Sequence, residues 1–109
     1  MIKFTLMNKN KKIFDCFITS PVTLELSNCG VNKGSAVKKL ADILGVDMNN
    51  TAAIGDYYND VEMLKTVSHP ACCGQAPDDI KSIVEYVTCH CNKGAVADFI
   101  NYIEKKYIL

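Results

Sequence analysis

A chain of 109 residues, 49% apolar and 22% charged, is long enough for one hydrophobic core and has the make-up of a globular domain. Twelve basic and twelve acidic side chains cancel, which gives no electrostatic footprint for nucleic acid or an anionic membrane. No apolar run approaches a membrane span, and the opening seven residues are followed by Asn8 and by lysines at 9, 11 and 12 rather than by a signal-peptide pattern, so a cytoplasmic location is expected.

Three β-rich segments come first, at residues 2–7, 13–19 and 22–26. Asn8-Lys9-Asn10-Lys11 is short enough for a hairpin, while Ser20-Pro21 and Ser27-Asn28-Cys29-Gly30 are breaks. The rhythm then becomes helical: Ala36, Val37, Leu40, Ile43 and Leu44 recur on one face, with Gly45 as the stop. Residues 51–54 read as a short buried strand ending at Gly55-Asp56. Asn59 and Asp60 lead into a second helix with Val61, Met63, Leu64 and Val67 as apolar positions. A strand at 70–73 is closed by Gly74, and Ala76-Pro77-Asp78-Asp79 opens a third helix with proline and carboxylates where its first turn favours them. A last strand at 86–89 and a helix from Asn92-Lys93-Gly94 through Tyr102 and Ile103 complete the order. Asn-Lys-Gly at 32–34 and 92–94 is a shared way of starting helices rather than a repeat. Alternating helices and strands predict a mostly parallel sheet covered by helices, with ligands at the carboxyl ends of the strands. Asp56 stands at such an end.

Six cysteines, at 16, 29, 72, 73, 89 and 91, have two readings. Without an export signal they are expected to be reduced and to fill space as small apolar side chains. Cys72-Cys73 with Cys89-His90-Cys91 offers a soft zinc site instead, but no C-x2-C pair is present and neighbours on a strand face opposite ways.

The stretch Gly55-Asp56-Tyr57-Tyr58-Asn59-Asp60 concentrates the chemistry. Two carboxylates four residues apart, one at a strand end and one at a helix start, can face a single point. A hard divalent cation would relieve their repulsion, and Mg2+ takes only one or two protein carboxylates. Asn59 can orient a carboxylate or a water, and Gly55 permits close backbone approach. Equally, Asn59 and Asp60 can serve as helix caps without binding anything.

Three runs decide how the chain is classed: GVNKGSAVKKLADILGV (30–46), AAIGDYYNDVEML (52–64) and GQAPDDIK (74–81). In this order and spacing they resemble the C-terminal part of haloacid dehalogenase-like (HAD) hydrolases, the Cof-type sugar-phosphate phosphatases of subclass IIB with an α/β cap. The resemblance covers about residues 23 to 109. It implies an α/β fold: the C-terminal half of a Rossmann-like three-layer core at 23–109, preceded by a cap remnant at 1–22. It implies that Lys33 neutralises the substrate phosphate and the nucleophile, that Asp56 binds Mg2+ directly, and that Asp60 holds metal-bound water or orients Lys33. Asn59 matches the polar partner in the same loop. Gln75 stands where the family usually has asparagine near the phosphate, and Glu25 matches an acidic residue of the family's L-E-I strand.

The family's D-x-D-G-T nucleophile segment does not occur in these 109 residues. Asp15, the one aspartate in a comparable setting, has no room between itself and Lys33 for the intervening core and cap, and is expected to be a strand residue. The resemblance therefore implies a phosphohydrolase fragment, inactive alone, that takes a small phosphorylated metabolite once completed. Self-association or a partner chain is expected, because the sheet would lack its central strand. A non-catalytic oligomerising or partner-binding module is the alternative.

Overall fold

The computed structural model describes residues 3–8 and 11–108, with side chains from Asp15 onward. Lys9 and Asn10, in the expected hairpin connection, lie outside the described residues, as does Ile2. Strands β1 (Lys3–Asn8), β2 (Lys11–Ser20) and β3 (Thr23–Asn28) form an antiparallel sheet in that order. The break at Ser20-Pro21 is a turn in which Ser20 Oγ donates to Thr23 Oγ1 at 2.9 Å and accepts from the Val22 N–H. Asp15 pairs with Ser27 and Phe17 with Glu25, so these four share one face of the sheet. Cys16 pairs with Leu26 and Ile18 with Leu24 on the other.

Asp15 is a strand residue, as expected: it lies within β2, 2% exposed, and accepts from the Gly30 N–H at 3.0 Å. The family resemblance groups β3 with the core, yet β3 hydrogen-bonds to β2 along its length. Pairing thus changes from antiparallel to parallel after Asn28.

Helix α1 (Lys33–Leu44) starts with a reciprocal cap, in which Asn32 Oδ1 accepts from the Ser35 N–H and Ser35 Oγ from the Asn32 N–H. It ends at Gly45. Strands β4 (Ala52–Gly55), β5 (His69–Cys72) and β6 (Tyr86–Val87) form a parallel sheet in that order. Backbone bonds carry the pairing further, from Thr88 N to Cys72 O and from Gly74 N to Cys89 O. Helices α2 (Val61–Thr66), α3 (Asp78–Lys81) and α4 (Ala95–Ile103) alternate with these strands, and a π-helical turn (Glu104–Ile108) ends the description.

The core lies here: Leu64, Ile80, Cys72, Val61 and Ala76 are all 5% exposed or less and pack together. Burial of a side chain such as Leu64 contributes about 1.5–3 kcal/mol. Asp98 on α4 clasps the sheet edge, accepting from Tyr86 Oη at 2.8 Å and the Cys89 N–H at 2.9 Å. Those bonds, the Cys89 N–H foremost, hold its carboxyl below the usual range.

The apolar stripe of α1 departs from the usual rule that such a face seals a core. Leu40, Ile43 and Leu44 are 56–70% exposed, and Gly34 and Ala41 are the buried residues. A Cβ on Gly34 would stand 2.5 Å from Glu62 O, so glycine lets α1 press directly on the backbone of α2. The stripe shares a face as the spacing requires, yet no described element covers it.

Candidate active site

The carboxyl end of β4 carries the loop of interest. After Gly55 the chain makes a single 3₁₀ turn (Tyr58–Asp60), which turns the Asp60 carboxylate back onto the strand end. Its Oδ2 accepts from the Asp56 N–H at 3.0 Å, and its Oδ1 accepts from Lys33 Nζ at 2.5 Å. Asp60 is 5% exposed, and these two bonds offset the cost of burying its charge. A Cβ on Gly55 would fall 2.6 Å from Asp60 Cβ, which explains why glycine occupies the strand end.

Asp60 holds the N-cap position of α2 but makes no side-chain capping bond, so capping is not what its carboxylate does. Lys33 opens α1, and the Gly34 contact with Glu62 fixes that helix end against α2. The Asp56 side chain is exposed and has no hydrogen-bond or ion-pair partner among the described residues.

Lys33, Asp56 and Asp60 line one open cavity of about 420 Å3, together with Cys73 and Cys91. An adjoining cavity of about 230 Å3 is lined by Phe17, Glu25, Ser27 and Asn59, and again by Lys33. Lys33 thus belongs to both spaces, while Asn59 belongs to the second. Gln75 lies off to one side, with Oε1 accepting from the Cys91 N–H at 3.1 Å.

The cysteines separate as strand geometry requires. Cys72 is fully buried in the core, and Cys73 lines the first cavity. Burial pushes the Cys73 thiol up, with Asp56 and Cys91 adding to the effect, so it stays protonated near neutrality. Among the described residues no three His, Cys, Asp or Glu side chains converge to hold a metal, so Cys72, Cys73, Cys89 and Cys91 do not come together as a zinc site. The pair Asp56 and Asp60 is a hard oxygen donor set of the kind a Mg2+ ion takes when water and phosphate complete its shell. Cys73 was marked in the sequence only as a candidate zinc ligand, and neither its place beside Asp56 nor the Asp60–Asp56 backbone bond was anticipated. Cys73's place at the end of the neighbouring parallel strand, level with Asp56, was the available signal.

Known proteins share this arrangement of elements. A family model described as haloacid dehalogenase-like hydrolase matches residues 2–100. A phosphoglycolate phosphatase of Picrophilus torridus is 37% identical over 87 residues, 80% of this chain and 37% of that protein. A 5-amino-6-(5-phospho-D-ribitylamino)uracil phosphatase of Bacillus subtilis is 34% identical over 82 residues, 75% of this chain and 32% of that protein. In fold, the chain matches the subclass IIB sugar phosphatase BT4131 with a TM-score of 0.78 at 21% identity, covering 83% of this chain and 35% of that one. The chain therefore spans about a third of the length of the proteins it matches. With a matched stretch of nearly its whole length and an α/β fold to suit, the chain belongs to the haloacid dehalogenase-like hydrolases.

Proposed function

We propose that this chain is the C-terminal part of a Mg2+-dependent phosphohydrolase of small phosphorylated metabolites such as sugar phosphates, working in the cytoplasm. One observation carries the reading: a buried carboxylate, Asp60, holds both the Lys33 ammonium and the Asp56 N–H at a parallel strand end, leaving the Asp56 carboxylate open to the cavity. Asp56 is the direct metal ligand, and Asp60 holds Lys33 in place and accepts from metal-bound water. Lys33, a point charge on a tethered stem, faces the phosphate. Asn59, in the wall of the smaller cavity, orients phosphate or water, and Gln75 is assigned the same task through its amide N–H groups, its Oε1 being engaged by the Cys91 N–H. When bound, Mg2+ would offset the negative charge that develops on the phosphoryl oxygens.

In this reading residues 1–22 derive from the cap and 23–109 from the core, with β3 as the strand that joins them. The 109 residues contain no D-x-D-G-T segment, so they cannot supply an aspartyl nucleophile and the chain alone is inactive. Two measurements test this. Mn2+, a paramagnetic substitute for Mg2+, should broaden the amide signals of Gly55 and Asp56, and Asp56→Ala should remove the effect. No broadening in the parent chain rules out the metal assignment. With p-nitrophenyl phosphate and Mg2+ no turnover is expected, and turnover abolished by Asp56→Ala would overturn the claim of inactivity.

The alternative is a non-catalytic module that oligomerises or binds a partner chain. It is favoured by exposed Val22, Leu24, Leu26, Leu40 and Ile43, and by β4 standing at the edge of its sheet. Light scattering after size exclusion tests it, because a monomer at high concentration argues against self-association.

A further inference from the structure

We infer that the cavity beside Lys33 receives the organic part of a phosphate monoester, and that Glu25 restricts it to polyols and amines and disfavours carboxylates. The inference rests on the phosphatase reading above and adds a substrate class to it. The 230 Å3 cavity has about the volume of seven or eight liquid waters, enough for an organic group of a few carbons. It opens beside Lys33, so a phosphate held at Lys33 and Asp56 can extend its ester substituent into this space.

The chemistry of the wall is one-sided. Phe17, 8% exposed, and Glu25 face each other across β2 and β3, putting an aromatic ring beside a carboxylate. Among the described residues Glu25 has neither a hydrogen-bond nor an ion-pair partner, and the same holds for the Asn59 side chain. Asn32 is already committed to the cap of α1. An ionised carboxylate only accepts hydrogen bonds, so Glu25 favours a hydroxyl or an ammonium.

The one cationic side chain among the described lining residues is Lys33, and its charge is balanced by Asp60. A carboxylate on the organic part would therefore meet Glu25, which has no ion-pair partner among the described residues. Opposite charges are attracted there and like charges repelled, even through the high dielectric of an open cavity.

The experiment is an amide chemical-shift titration of the whole chain with Mg2+ present, following Lys33, Asp56 and Asn59. Inorganic phosphate, glycerol 3-phosphate, phosphoethanolamine and phosphoglycolate are the probes. Glycerol 3-phosphate and phosphoethanolamine should bind about two- to fivefold more tightly than phosphoglycolate, the upper part of the range expected for one exposed charge. Glu25→Gln should bring that ratio close to one. If inorganic phosphate binds but the parent chain shows no preference, or the preference survives Glu25→Gln, the inference is overturned and the phosphatase reading stands. If inorganic phosphate moves none of the three signals, both are overturned.

Discussion

The two sheets of this molecule are stabilised differently. The parallel sheet has helices against it and a sealed interior, with Ala71, Cys72 and Ile80 at 0% exposure and Leu64 at 1%. In the antiparallel sheet burial is confined to β2: Asp15 and Phe17 on one face and Cys16 on the other are buried, while on β3 Glu25 is exposed and Leu24 and Leu26 are each 57% exposed. Both are built from alternating or continuous apolar residues, and the local patterns do not distinguish them. The difference is in what lies above each face. The parallel half carries the core and positions the charged residues, and the antiparallel half supplies one wall of the smaller cavity and presents an apolar surface outward.

The largest expected effect tests the sealed half. Ile80→Ala or Leu64→Ala should lower unfolding free energy by about 2–5 kcal/mol, measured by urea denaturation. A loss of that size at Leu24 as well would erase the contrast between the sheets. Next come the two close approaches: Gly34→Ala and Gly55→Ala should each cost about 1–3 kcal/mol, because a methyl group meets backbone or a buried carboxylate. Gly55→Ala should also displace Asp60 and weaken Mn2+ broadening at Asp56, whereas Gly34→Ala should act mainly through stability.

A third, smaller effect concerns Glu85, which accepts from Tyr102 Oη and Tyr107 Oη at 2.7 Å each and pairs with His69 at 2.9 Å. Partial burial opposes its ionisation, but these partners outweigh it and hold its carboxyl below the usual glutamate range. A depressed carboxyl pKa stabilises the fold fully above the unfolded value of about 4.3, and that contribution is lost as pH falls through the folded value. The Tyr102 and Tyr107 ring signals should therefore shift in acid in the parent chain, and Glu85→Gln should remove that pH dependence. The smallest effect belongs to exposed β3: Leu24→Ser and Leu26→Ser should change stability by no more than about 0.5 kcal/mol.

Element order was legible in the sequence because turn residues and apolar spacing are local signals. The strands at 51–54 and 70–73 and the helix ending at Gly45 lie within a residue or two of their expected places. The antiparallel partner of β3 was not legible, since the choice of partner depends on distant strands. Nor was the exposure of Leu40 and Ile43, because periodicity says which residues share a face and nothing about what covers it. At the site, the residue types of Lys33, Asp56 and Asp60 could be singled out from their spacing and from resemblance. That Asp60 uses both oxygens, on Lys33 and the Asp56 N–H, needed three dimensions. Gln75 could be marked by its position in GQAP, but its bond to the Cys91 N–H depends on a loop sixteen residues away.

The Asp60 carboxylate binds across spans of only 27 and 4 residues. Closing loops that short costs little chain entropy, and local contacts of this kind form early when a chain folds. The bond from the Gly30 N–H to Asp15 that ties the antiparallel sheet to this region spans 15 residues, so chain entropy lets the charged centre and that sheet form independently. A folding experiment would then see protection at Gly55 and Asp56 arise with the parallel sheet, whatever the fate of the first 28 residues.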